Sequence, residues 1–274
     1  MGKIEVHHLN NSRSQRILWL LEELGLDYEI VGYQRDPLTR MAPASLKAIH
    51  PLGKSPVIRD SALVLAESGA IIEYLVGRYG QGRLSPAADF ASPEYAAYLH
   101  WLHFAEGSAM LPLLLKLYVG LLKGAGQPLL PRIESELKAQ FDYLSAALGE
   151  DDYFVANTFS AADIQLSFVL DAGAARGPLK DYANLVRLEQ RLKARATHQR
   201  ASARRCLRAG TVAARSPQTI AQAQPGIHGG QEPRRAVVER DCRRRPEIQG
   251  RPGAGVAEDL PGRLLSRPAR PHDT

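Results

Sequence analysis

The stretch His50-Pro51-Leu52-Gly53-Lys54-Ser55-Pro56-Val57 decides how the first third of this chain is read. An X-Pro bond entering a strand can be cis, and the N–H and C=O of Ser55 can then sit unpaired at a sheet end, open to an extended peptide. Such an end binds peptides by adding a strand. Downstream, Glu67-Ser68 opens an apolar-periodic helix carrying Ile71, Ile72, Leu75 and Tyr79. Its first N–H groups and positive dipole end suit a carboxylate, while Glu67 suits an ammonium. Together they predict a cradle for a peptide with a zwitterionic head.

Working outward, the first 80 residues alternate strand and helix signals. Strands are expected at Ile4–Leu9, Tyr28–Tyr33, Val57–Arg59 and Leu63–Leu65. Helices are expected at Ser14–Leu24, closed by Gly25, and Ser68–Tyr79, closed by Gly80, with a short helical piece near Ala44–Ile49. Asp60-Ser61 reads as a hairpin turn, which makes the last two strands antiparallel neighbours. Residues 81–91, with Pro86 and small polar residues, read as a linker. Helices are expected from Pro93 past His103 and from Leu129 to Leu148. Another starts at Ser160-Ala161-Ala162-Asp163, a capping-box-like signal with Phe159 and Ile164 placed for a hydrophobic staple.

These residues carry a resemblance. The Lys54-Ser55-Pro56-Val57 loop, the Glu67-Ser68 pair, the Asn10-Asn11-Ser12-Arg13-Ser14-Gln15-Arg16 opening of the first helix and Phe159-Ser160-Ala161-Ala162-Asp163-Ile164 resemble the glutathione S-transferases over roughly residues 3–200. The resemblance implies an α/β thioredoxin-like domain at 1–80 that binds glutathione, and an all-α bundle at 92–200. It also implies conjugation of glutathione to electrophilic small molecules or reduction of hydroperoxides, a detoxification role, glutathione as co-substrate with no metal, and a homodimer. The alternative is a non-catalytic member kept for ligand binding or regulatory contacts.

Composition limits the other classes. Residues 1–200 hold 21 Lys and Arg against 22 Asp and Glu, whereas 201–274 hold 14 Arg and no Lys against 7 acids. The basic balance therefore belongs to the tail, and neither nucleic acid nor membrane is expected as a partner of the folded part. A nucleic-acid-binding protein is suggested by that tail alone, which reads either as a disordered basic extension or as translation in a shifted frame. No secretory or membrane-spanning segment is read, so a cytoplasmic protein is expected. Both cysteines, Cys206 and Cys242, lie past residue 200, so dithiol exchange and cysteine-dependent transfer are excluded for the first 200 residues.

Conjugation needs the glutathione thiolate, and a thiol with pKa near 8.5 must be lowered by about two units, roughly 2.7 kcal/mol. One hydrogen bond to an anion supplies about 1.5 to 3 kcal/mol, so a hydroxyl beside a helix N-terminus or a cation can suffice. Ser12 resembles the catalytic serine of the theta and delta classes, though it also reads as a plain helix cap. Asn11 comes next, then Ser14 and His8. By the same resemblance Ser55 and Pro56 hold the peptide body, Glu67 and Ser68 the γ-glutamyl end, and Lys54 the glycyl carboxylate, with His50 and Arg13 also in reach of it. The acceptor pocket is expected along the long helix that carries Tyr98, His103, Glu106, Ser108, Met110 and Leu111.

Overall fold

The computed structural model describes residues 3–208, and the described residues fall in one compact unit. Its first part runs β1 (Ile4–Leu9), α1 (Ser14–Leu24), β2 (Tyr28–Tyr33), β3 (Val57–Asp60), β4 (Leu63–Ala66) and α2 (Ser68–Tyr79). The sheet order is β2-β1-β3-β4, with β1 parallel to β2 and antiparallel to β3, and β3 antiparallel to β4. The parallel step needs a crossover, which α1 supplies. Gly25 ends α1 in the left-handed region at φ 70°, its N–H returning to the carbonyls of Glu22 and Leu21. Val6, Ile17, Leu20, Ile58, Ile71 and Leu75 are fully buried, so sheet and both helices share one core.

The second part is helical: α3 (Pro93–Phe104), α4 (Met110–Gly120), α5 (Leu130–Leu148), α6 (Ala161–Arg176), α7 (Ala183–Ala194) and α8 (Ala196–Arg208). The single long helix expected past His103 is interrupted by a π turn at Ala105–Ala109. The extra residue per turn re-aims the side chains there, and Glu106 is one of them. Helix α6 sits at the centre, with Ile164, Leu166, Val169 and Leu170 at 0% exposure. Its capping box is present, Ser160 and Asp163 serving each other as expected. Phe159 packs tilted on Trp19 and edge-on to Tyr153, 5.8 and 5.5 Å between ring centres.

Gly173 lets α6 approach α5, because a Cβ there would lie 2.5 Å from Cζ of Phe141, which is itself fully buried. Gly173→Ala gains about 1 kcal/mol of helix propensity but forces an aromatic ring to move inside a packed core, which costs about 1 to 3 kcal/mol. A net loss of roughly 1 kcal/mol is expected in urea unfolding, and an unchanged midpoint would show that the ring can give way.

The composition change expected at residue 201 falls inside a helix. Helix α8 continues to Arg208, Ala201 is 4% exposed, and Arg204 lies 4.9 Å over the Tyr28 ring and 3.2 Å from Glu22. The segment expected to be a disordered or frame-shifted tail from residue 201 therefore begins within a folded helix, with Ala201 and Arg204 packed against the rest. Cys242 and the rest of that expected tail lie outside the described residues.

Candidate functional site

Three segments that are distant in sequence meet at the end of β1. The turn after Leu9 carries Asn11, held at φ 50°, then Ser12, with α1 starting at Ser14 and Arg13 in the cap position. Ser12 thus precedes the cap residue rather than occupying it, and its Oγ accepts the Ser14 N–H at 3.3 Å. The Ser55–Pro56 bond is cis, and the Ser55 side chain staples its loop to β1 by accepting Leu9 N–H at 3.1 Å and donating to His7 C=O at 2.7 Å. Ser12 Oγ donates to Ser55 Oγ across 3.4 Å. Among the described residues the backbone N–H and C=O of Ser55 have no hydrogen-bond partner. Hydroxyl and free strand end therefore face one place.

The third segment is the mouth of α2. Glu67 precedes it at φ 70° and ψ 117°, a region a side-chain-bearing residue rarely occupies, and strain of this kind concentrates at ligand sites. Ser68 is buried, and its Oγ accepts from Arg16 Nη1 and from Gln165 Nε2, each at 3.3 Å. With both lone pairs used, its hydrogen is free to donate. Lys54 and Glu67 are exposed; the Glu67 carbonyl accepts Ile71 N–H at 2.9 Å, and neither side chain has a hydrogen bond among the described residues. Ser12 meets Ser55 through its hydroxyl, the Val57–Ala66 pairing brings the Ser55–Pro56 loop beside Glu67, and Arg16 ties Ser68 to α1, with Lys54 on the loop.

Beneath these residues lies a buried charge. The Arg16 side chain is 0% exposed, it pairs with Glu106, and its guanidinium lies 5.1 Å over the Phe168 ring. Burial pulls its pKa down to about 10, against the opposing pull of Glu106. Arg13 Nε stands 2.7 Å from the other Glu106 oxygen, although its N–H is not aimed for a hydrogen bond, so the contact is Coulombic. Arg35, on the loop after β2, donates to Asn10 and feels the charge of Arg13. An anion at Ser12 therefore has the first turn of α1 and cations nearby, the help a neutral hydroxyl needs.

The expected acceptor-pocket residues do not converge. Glu106 serves the arginines, Met110 is 1% exposed in the core, and His103 is exposed beside Glu73 at 3.8 Å. On and just past α4 runs an apolar stripe at helical spacing, of which the sequence reading took only Leu111. Leu111, Leu115, Tyr118 and Leu122 are all more than 40% exposed. Four exposed large apolar residues in one row are the signal that could have found it.

Comparison with known proteins agrees with this geometry. The family descriptions "Glutathione S-transferase, N-terminal domain" and "Glutathione S-transferase, C-terminal domain" match residues 4–77 and 109–196. Glutathione S-transferase 3 of Schizosaccharomyces pombe is 36% identical over 200 residues, covering 67% of this chain and 80% of the yeast protein. This chain belongs to the glutathione S-transferase family. The transferase is also 34% identical to glutathione S-transferase 1 of Saccharomyces cerevisiae, over 63% of this chain and 82% of that one. Among solved structures, a glutathione S-transferase from Actinobacillus pleuropneumoniae aligns with TM-score 0.68 and 34% identity, covering 74% of this chain and 93% of its own. A glutathione transferase from Phanerochaete chrysosporium, crystallised with oxidized glutathione, shares the fold at TM-score 0.66 and 20% identity, covering 77% of this chain and 98% of its own. Among the described residues of the transferase, no helix is long and apolar enough to cross a membrane, and no three His, Cys, Asp or Glu side chains group as metal ligands would.

Proposed function

We propose that this transferase binds glutathione across the Ser12 turn, the Ser55–Pro56 loop and the α2 mouth, and conjugates it to apolar electrophiles. Ser55 offers its free N–H and C=O to the cysteinyl residue as a strand would. Glu67 takes the γ-glutamyl ammonium, Ser68 and the first N–H groups of α2 take its carboxylate, and Lys54 takes the glycyl carboxylate. Ser12 donates its hydroxyl hydrogen to the sulfur, with Asn11 the neighbouring candidate. The thiolate then attacks an electrophilic carbon and displaces its leaving group, or attacks the terminal oxygen of a hydroperoxide, releasing the alcohol and forming glutathione sulfenic acid, which a second glutathione converts to the disulfide and water. The acceptor lies along the Leu111, Leu115, Tyr118 and Leu122 stripe. The reading extends to a homodimer in the cytoplasm, which light scattering on the purified chain tests.

The observation that supports it most is the 3.4 Å approach of Ser12 Oγ to Ser55 Oγ, since a cysteine held by Ser55 has its sulfur within reach of Ser12. Loss of one hydrogen bond to an anion costs about 1.5 to 3 kcal/mol, so Ser12→Ala is expected to lower kcat/KM with chlorodinitrobenzene by roughly 10- to 100-fold while glutathione still binds. An unchanged rate would remove Ser12 from the mechanism and pass the role to Asn11.

A further inference from the structure

Behind Ser12 runs a buried chain of three side chains. His8 Nδ1 lies 2.7 Å from Ser14 Oγ, and Ser14 Oγ lies 2.7 Å from Ser12 Oγ, with all three residues at 6% exposure or less. Each link can run either way, because a hydroxyl donates once and accepts twice, and a neutral imidazole nitrogen is a donor or an acceptor according to the tautomer.

The hydrogen count at Ser12 separates the two directions. One Ser12 lone pair already accepts the backbone N–H of Ser14. If His8 carries its hydrogen on Nδ1, it donates to Ser14 and frees the Ser14 hydrogen for Ser12, and with that hydrogen turned to Ser12 both Ser12 lone pairs are filled. Only the Ser12 hydrogen then remains, and it can serve a thiolate but cannot accept from a thiol. If His8 Nδ1 is bare, Ser14 must donate to it and Ser12 must donate to Ser14. The remaining group on Ser12 is then a lone pair, which favours S–H over S⁻. Ser55, whose own hydrogen goes to His7 C=O, takes the Ser12 hydrogen across 3.4 Å, the longest contact of the set, so that hydrogen must turn from Ser55 to the sulfur in the first case and to Ser14 in the second.

We infer that His8 and Ser14 are positioning residues that set the hydrogen-bond direction at Ser12, and that the His8 Nδ1–H tautomer makes this hydroxyl a thiolate donor. The inference rests on the proposed role of Ser12. The proton lost when glutathione ionises goes to solvent, and no bond is made or broken within the chain of side chains. Successive donation also polarises each hydroxyl in turn, which strengthens the last bond. The charged groups on and beside the first turn of α1, Arg13 and Arg16, are engaged with Glu106.

The test is titration of bound glutathione by its ultraviolet thiolate absorbance, paired with the affinity for S-methylglutathione, which has no thiol to ionise. Ser14→Ala and His8→Leu are each expected to raise the thiol pKa by about half to one unit, the worth of one neutral hydrogen bond, with S-methylglutathione affinity unchanged. His8→Asn, whose amide can donate from the position of Nδ1, is expected to restore the parental titration. If Ser12→Ala raises the pKa and the other variants do not, the relay is refuted while Ser12 keeps its role. If Ser12→Ala itself leaves the titration unmoved, the site reading falls instead. A merely structural role for His8 and Ser14 would weaken S-methylglutathione binding too, and that result also overturns the inference. Should Ser14→Ala fail to fold, the contrast between His8→Leu and His8→Asn decides.

Discussion

Glu106→Ala is expected to destabilise the protein by about 3 kcal/mol or more, one of the two largest effects of a single substitution here. The reason is the partner it abandons. Arg16 is fully enclosed, its Nε and Nη2 have no hydrogen-bond partner among the described residues, and Glu106 is the carboxylate paired with it. Removing one member of a buried ion pair leaves a charge with neither water nor counterion, at a cost of about 3 to 5 kcal/mol. Glu106 is 30% exposed, so the low end of that range applies. Guanidinium unfolding should show the loss, and the double variant Arg16→Met/Glu106→Leu should recover much of it, because an apolar pair leaves no charge behind. Glutathione affinity should fall as well, since Arg16 also donates to Ser68 at the α2 mouth. A Glu106→Ala midpoint equal to the parent's would show that water reaches Arg16.

Asp163→Ala should cost about as much, for a different reason. Its carboxyl accepts Ser160 N–H at 2.8 Å, Phe154 N–H at 3.2 Å and Ser160 Oγ–H at 3.1 Å, at the start of a helix whose first residues are buried. Two buried N–H groups would be left bare, at about 1 to 3 kcal/mol each. The same site makes a pH prediction. Burial pushes the Asp163 pKa up from 3.8 to about 6, outweighing those hydrogen bonds. The folded value exceeds the unfolded one, so the stability this group adds is complete below about pH 4 and is lost as pH rises through about 6. Two units correspond to about 3 kcal/mol. His7 works in the opposite sense, because burial and Arg59 pull it from 6.5 down to about 4, and its contribution is lost as pH falls. Asp163→Asn should therefore unmask a stability that climbs between pH 4 and 6.5. A curve parallel to the parent's would mean that the Asp163 carboxyl titrates normally.

Much of the first 80 residues is legible because local signals agree there: β1, β2, α1 and α2 occupy the expected spans, and Gly25 closes α1 by the conformation only glycine takes cheaply. Ser12, Ser55 and Ser68 were likewise legible as separate motifs. What joins them was not. Arg16 lies three residues before Trp19 and four before Leu20, on a stripe otherwise apolar, and that position marks a buried cation. Its partner stands 90 positions away on a π turn, where no periodicity points. The end of the bundle was misjudged for a related reason. Among its described side chains helix α8 buries Ala201, and Arg200 and Arg204 hold it against Glu22 and Tyr28. A hydrophobic count reads such a segment as the end of the fold.

Helix α8 also clasps the opening helix of the chain. Thr197 and His198 sit against Trp19, and Arg200 reaches Glu22 across 178 positions. A ribosome adds about 5 to 20 residues per second, so a nascent chain waits on the order of ten seconds or more between making Trp19 and making the segment that covers it. During that interval the indole flank is bare to chaperones.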